Sequence, residues 1–340
     1  MKIVKFSKSY KNISLIKKDF TSDNKKYFFY AKKINDVYKK QVRRKRCEIC
    51  QSKITKPFLI NFDIKYSMCP KCGHLNGIYE DTERFNKWLY ANDNGKNYNI
   101  FYKKFYNQRV QNIHIPKVDF LKKVIREKIK VIDYGSGVGY FLKALEKRKI
   151  QAVGLETNKE SVKRGSKFLK KNKIFHFQFG DNSIFKKYSN EYNTLALIGV
   201  LEHIDSKDLL REFKLSKLKY LYISVPALSL SVFLENVFTK VFPRVLSNGH
   251  THLFTEKSLN YFAKKNNLEI IGEWWFGTDI PDLFRSLMVS SKFADKKIFN
   301  REINKIFQKT IDQLQSVLDK NKTSSEIHMI FKKKYLNRSF

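Results

Sequence analysis

Val-Ile-Asp-Tyr-Gly-Ser-Gly-Val-Gly, residues 131–139, is a β-branched run that ends in an acid and passes into a loop with glycine at every second position. Val138, Phe141, Leu142 and Leu145 then recur at helical spacing. The next short apolar run, Ala152 to Leu155, closes on Glu156, which stands 17 positions after the last glycine. This order reads as strand, loop, helix, strand. In open α/β sheets the crevice at such strand ends takes a nucleotide-like ligand, and a carboxylate closing the second strand accepts hydrogen bonds from ribose hydroxyls.

A dinucleotide fingerprint, G-x-G-x-x-G, would need its third glycine at position 140, which is Tyr140. The pattern is instead D-x-G-x-G-x-G over Asp133 to Gly139. It resembles the first motif of class I S-adenosylmethionine (SAM) methyltransferases, whose loop passes beside the methionine part of the cofactor. The resemblance implies SAM as the cofactor, with Asp133, Tyr134, Gly135, Ser136, Gly137 and Gly139 around it and Glu156 on its ribose. Further along, Lys173 to Phe179 is β-rich and ends in Gly180-Asp181-Asn182. In the resembling family an acid or amide at this point reads the adenine amino group, so Asp181 and Asn182 are candidates. Asp-Asn after a strand is also ordinary turn chemistry.

Thr194 to Gly199 reads as another buried strand, and Val-Leu-Glu-His-Ile follows over 200–204. That phrase looks like the Leu-Glu-His signature of many small-molecule methyltransferases. The acid usual at the head of this strand is missing, with Asn193 the nearest residue. A helix near Asp205–Leu215, a strand Tyr220–Val225, a helix near Thr255–Lys265 and a strand Leu268–Trp275 complete the alternation. It predicts an α/β, doubly wound, mainly parallel Rossmann-like sheet.

Four cysteines form two C-x-x-C pairs, Cys47/Cys50 and Cys69/Cys72, and the chain has no others. Two such knuckles present four thiolates tetrahedrally, which suits a structural Zn²⁺ with a closed coordination sphere. The N-terminus has no signal-peptide pattern, which argues against disulfides and places the chain in the cytoplasm. Leu221 to Phe242, the most apolar window, is interrupted by Pro226, Glu235, Asn236 and Lys240, so no membrane span is expected.

The chain has 340 residues and a formal net charge of +36, with lysine spread along nearly its whole length. That spread reads as compositional drift more than as a localised footprint. The densest basic stretch, Lys39, Lys40, Arg43, Arg44, Lys45 and Arg46, leads into the first cysteine pair. Such an arm suits RNA phosphates, the diphosphate of a sugar nucleotide, or plain solvation.

For proton removal, histidine is the natural base near neutral pH. The candidates are His203 in Leu-Glu-His and the pair in His250-Thr251-His252. A four-cysteine module, an aromatic linker, a SAM core and a late histidine pair together resemble sugar C-methyltransferases that act on nucleotide-linked keto sugars. Their histidine takes the proton α to the keto group, a role that would fall to His252. Thr251 stands where that family has glutamate, which leaves O-methylation of a sugar hydroxyl open.

The expected organisation is a zinc-binding module over 1–78, an aromatic linker over 79–116, the SAM core over 117–291 and a helical extension over 292–340. In that extension Ile298, Ile303, Ile306, Phe307, Ile311, Leu314 and Leu318 form a stripe suited to packing or to a homodimer. Three functions compete: a methyltransferase acting on a nucleotide-linked or polysaccharide sugar, an RNA methyltransferase using the zinc ribbon and basic arm, and a non-catalytic scaffold with a vestigial cofactor site. Tyr102, Arg109 and Asp279 are weaker candidates for site contacts.

Overall fold

Twelve strands are present in the computed structural model, which describes residues 1–14, 16, 23–91, 105–178, 181, 183–204, 207–246, 249–291 and 297–334. In chain order they are β1 (Ile3–Phe6), β2 (Leu59–Asn61), β3 (Ile64–Met68), β4 (Leu75–Gly77), β5 (Lys130–Tyr134), β6 (Gln151–Glu156), β7 (Lys173–His176), β8 (Thr194–Ile198), β9 (Tyr220–Pro226), β10 (His252–Leu253), β11 (Leu268–Phe276) and β12 (Glu326–Lys333). Eight of them form one sheet in the order β1-β11-β12-β9-β8-β5-β6-β7. All its neighbouring pairs are parallel except those of β12, which runs antiparallel to both β9 and β11. This is the expected α/β, mainly parallel, doubly wound sheet.

The period-2 alternation of each strand divides the interior into two layers. Ile132, Leu195, Leu221 and Ile223 face one cluster with Phe213, Leu259 and Phe262. Their neighbours Val131, Ala196, Tyr220 and Tyr222 face the other, with Phe120, Leu121, Phe141 and Leu142. From β5 the chain runs outward to β6 and β7, then crosses back to β8 on the other side. That reversal opens a crevice beyond the carboxyl ends of β5 and β8.

Two stretches depart from the sequence expectation. The C-terminal segment is helical over Lys297–Lys320, but Glu326–Lys333 then enters the large sheet between β9 and β11. Ile327 and Met329 to Phe331 are fully buried. A strand covered on both faces gives a continuous apolar run, which periodicity does not separate from a helix. The N-terminus also contributes outside the cysteine module, because β1 pairs in parallel with β11 at the sheet edge. Of the expected aromatic linker, Tyr98, Phe101 and Tyr102 lie outside the described residues.

The cysteine region builds a second, antiparallel sheet in the order β10-β4-β3-β2. Its first strand comes from the far side of the sequence: His252 and Leu253 pair with Asn76 and Leu75. Val232, Val245, Leu246 and Leu253 share a cluster with Tyr38, Ile64, Tyr66 and Phe85. The segment after β9 is therefore packed into the cysteine module. Among the described residues, no helix is long and apolar enough to cross a membrane.

Candidate functional site

β5 delivers Asp133 and Tyr134 to the crevice, and the chain must then turn sharply to start the helix Tyr140–Lys147. Glycine makes the turn possible. Gly135 has φ +73°, and a Cβ there would lie 2.6 Å from Val200 Cγ2; Gly137 has φ +55° with open space where a Cβ would point. An L side chain is strained at either position. Glu156 at the end of β6 locks the loop, accepting from Gly137 N (2.7 Å) and, through its other oxygen, from Asn158 N (2.8 Å). Burial pushes the Glu156 carboxyl above its ordinary pKa, against those backbone donors.

This loop is one wall of a cavity of about 1100 Å³. Asp133, Tyr134, Gly135, Ser136, Gly137 and Glu156 all line it. The buried Asp133 Oδ2 and Ser136 Oγ have no partner among the described residues. Buried polar atoms left unpaired in a cavity wall are what a polar ligand would satisfy. The wall thus fits a nucleoside cofactor: backbone at close approach, unpaired polar atoms, and an acid at the strand end.

Gly139 serves the turn (φ +77°) but is not a lining residue. Asp181 does not take its expected place, because it is exposed and absent from the cavity wall. Asn182 lies outside the described residues. Arg109 also lies off the wall. Asp279 is wholly buried elsewhere, accepting hydrogen bonds from Ser231, Ser325 and Gln315.

The opposite wall is assembled from distant segments. The 3-10 turn Leu201–His203 after β8 supplies Glu202 and His203, and the strap before β10 supplies His250. Their ligating atoms all lie within 4.8 Å of one another. His203 Nδ1 is 2.7 Å from the Tyr90 hydroxyl, and its ring stacks on that of His250 at 5.1 Å. His250 Nδ1 lies 2.9 Å from the Val245 carbonyl, so Nδ1 carries the proton and donates it, leaving Nε2 with its lone pair. Burial lowers the pKa of His250 to about 4 and holds His203 well below its ordinary value. Burial raises that of Glu202 to about 8, and its Oε2 has no partner among the described residues. Tyr90 ties the two walls, because its carbonyl accepts from Asn158 Nδ2 at 3.1 Å. Sequence reasoning named Glu202 only within a phrase; the acid beside His203 was the available signal.

His252, the expected base, also lines the cavity, but its ring makes contacts with the cysteine module. It is 2% exposed, its Nδ1 lies 2.9 Å from His74 Nε2, and it also hydrogen-bonds the Glu202 backbone. Burial, followed by the Arg44 charge, lowers its pKa to about 3. Its side chain staples the cysteine module to the core. The β10–β4 pairing that turns it inward is a tertiary event, which spacing along the chain does not encode.

The module also forms part of the rim, where Lys45 and Arg46 reach the cavity. Arg44, expected in a basic arm, is buried and paired with Glu48 and, at 2.6 Å, with Asp81. Asp81 in turn accepts a hydrogen bond from Thr251. The four cysteines are free thiols gathered in one cluster, with Cys47 Sγ 3.5 Å from Cys72 Sγ and Cys50 Sγ 3.4 Å from Cys69 Sγ. Thiolates about 2.3 Å from a tetrahedral ion sit roughly 3.8 Å apart, so the cluster needs little adjustment to hold one.

A family model described as a methyltransferase domain matches residues 102–273, half of the chain. Among solved structures, a SAM-dependent methyltransferase from Archaeoglobus fulgidus is 17% identical, covering 69% of this chain and 99% of its own, with a TM-score of 0.42. Magnesium protoporphyrin IX methyltransferase from Synechocystis PCC 6803 is 11% identical, covering 71% and 96%, with a TM-score of 0.44. The plantazolicin methyltransferase BpumL is 12% identical, covering 75% and 96%, with a TM-score of 0.45. No curated protein matches the chain.

Proposed function

We propose that this chain, which belongs to the methyltransferase-domain family and is an enzyme of the class I SAM-dependent type, methylates a nucleotide-linked or polysaccharide sugar. The observation that carries the reading is the single cavity of about 1100 Å³ that runs from Gly137 and Glu156 past His250 to Lys45 and Arg46. Pockets of roughly 300–1,000 Å³ accommodate one drug-sized ligand, so this one has room for a nucleoside cofactor and an acceptor together. The basic rim suits an acceptor that carries phosphate.

SAM supplies an electrophilic methyl group when bound. The chain's own residues do the rest. Glu156 and the Gly135–Gly137 backbone hold the nucleoside, and the unpaired Asp133 Oδ2 and Ser136 Oγ offer it hydrogen bonds. His250 presents Nε2 to the acceptor and takes the proton from its hydroxyl or acidic C–H, while the Val245 carbonyl fixes the tautomer. The helix that carries Tyr90 and the cysteine module enclose the space and limit water. Four thiolates in the module hold a structural Zn²⁺ with no position left for substrate.

The exposed Lys45 and Arg46 also favour a second reading, RNA held across the rim. One experiment separates them: incubate the protein with methyl-labelled SAM and a panel of nucleotide sugars and RNAs, then locate the label by mass spectrometry. Label in the sugar fraction is the expected result. Label in RNA, with affinity falling steeply as salt rises, would replace the sugar reading.

A further inference from the structure

We propose that Glu202, His203 and His250 form a second metal site, for a divalent transition-metal cation, in the wall of the cavity facing the cofactor loop. Two imidazoles and a carboxylate are within 4.8 Å of one another, and His203 Nε2 is 3.8 Å from Glu202 Oε1. Ligand atoms about 2.0–2.2 Å from one ion lie somewhat closer together than this, so side-chain rotation alone would close the set.

Three independent features point to a ligand. Glu202 is 2% exposed, yet its Oε2 is buried with no hydrogen-bond partner among the described residues. An unpaired carboxylate oxygen at such depth is costly unless something cationic or protic meets it. The histidines are also oriented from behind: His250 Nδ1 donates to the Val245 carbonyl and His203 Nδ1 meets the Tyr90 hydroxyl. That is the outer-shell arrangement of ligating histidines, in which the distal nitrogen is anchored and the other faces the ion. Ligation by His203 Nε2 would displace the ring's contact with the Gly249 backbone. Finally, all three residues line the cavity, so the remaining coordination positions open onto the acceptor's space.

The donor set selects the class of ion. Two imidazoles and one carboxylate suit Zn²⁺, Co²⁺, Mn²⁺ or Fe²⁺; Mg²⁺ and Ca²⁺ prefer all-oxygen shells. The site differs in kind from the four-cysteine cluster, whose thiolates close their own coordination sphere. A cation here competes with a proton for His250 Nε2. Metal binding and proton removal at His250 Nε2 are therefore alternatives, and the inference rests on the proposed methyl transfer while standing apart from the acceptor's identity.

The test is a Co²⁺ titration of the full chain with its cysteine-bound metal retained. The expected result is visible d–d absorption that saturates at one Co²⁺ per chain, without the near-ultraviolet thiolate band that cobalt bound to cysteine would give. Glu202→Gln, near-isosteric, and His250→Ala should each abolish that absorption while circular dichroism and cysteine-bound zinc stay unchanged. No visible absorption, absorption carrying the thiolate band, or absorption insensitive to both variants would overturn the site. Methyl transfer that persists undiminished with a chelator yet is lost in His250→Ala would also overturn it, leaving the base role in place. Loss of label from sugars with the cobalt signal intact would instead remove the substrate reading alone.

Discussion

The two walls of the cavity are made in opposite ways. The cofactor wall comes from one continuous strand–loop–helix–strand unit, Asp133 to Glu156, and its shape rests on backbone torsions at glycine. The facing wall gathers Tyr90, Glu202, His203 and His250 from three separate stretches and rests on the Tyr90–His203 hydrogen bond, the stacking of His203 on His250 and the tie of His250 to the Val245 carbonyl. A local wall survives as long as its own loop is intact. A composite wall depends on everything that holds its contributors in register, including a four-cysteine cluster that lies off the cavity wall.

The harshest way to break this contrast is Cys69→Ser. Metal binding in such a cluster is largely folding energy, on the order of 10 kcal/mol, so the module should unfold and release β10 and His250 with it. Limited proteolysis should then cut within the cysteine region while calorimetry still detects SAM binding at the intact loop. Loss of SAM binding as well would mean the walls are not independent.

His250→Ala sharpens the contrast from the composite side. Turnover should fall about 10²- to 10⁴-fold, the usual contribution of a positioned acid–base group, with SAM affinity unchanged by calorimetry. Retained turnover would shift the base role to another residue. Glu156→Ala probes the local wall: the anchor on Gly137 N and the acid proposed to meet the ribose are lost together. SAM affinity should drop by about 1–3 kcal/mol, roughly tenfold to a hundredfold, the scale of hydrogen bonds to charged groups. An unchanged affinity would refute the ribose assignment.

The last expected effect concerns the scaffold that both walls share. His328 on β12 lies between Tyr222 (2.8 Å) and Glu326 (2.8 Å). Burial, then the charge of Lys117, lowers its pKa to about 4, below the ordinary histidine value of about 6.5. Between these pH values the unfolded chain binds a proton that the folded one refuses. The contribution is therefore complete above about pH 6.5 and lost as pH falls towards 4, at up to about 1.4 kcal/mol per pH unit. Melting temperature measured over that range should fall less steeply in His328→Gln. An equal slope would exclude His328 as a source.

What was legible in the sequence divides along the same line. The Asp133–Gly139 loop and Glu156 could be read because glycine spacing and a strand-end acid encode backbone geometry directly. The cysteine spacing announces its cluster for the same reason. The composite wall was only half legible. Leu-Glu-His and His-Thr-His were visible as candidates, but the partners that engage each imidazole depend on β10 pairing with β4. Arg44 read as part of a basic arm because Asp81 and Glu48, which bury its charge, are brought to it by tertiary folding. Asp181 read as an adenine contact from its place after a strand, while the fold leaves it exposed outside the cavity.

β12 carries a consequence for how the molecule is born. Translation delivers residues 326–333 after every other strand, yet they belong between β9 and β11, near the middle of the large sheet. Until that segment leaves the ribosome, two hydrogen-bonding edges stand open side by side, the situation in which strands capture wrong partners. The nascent polypeptide thus has to wait for its late strand before the platform under the catalytic crevice can zip shut.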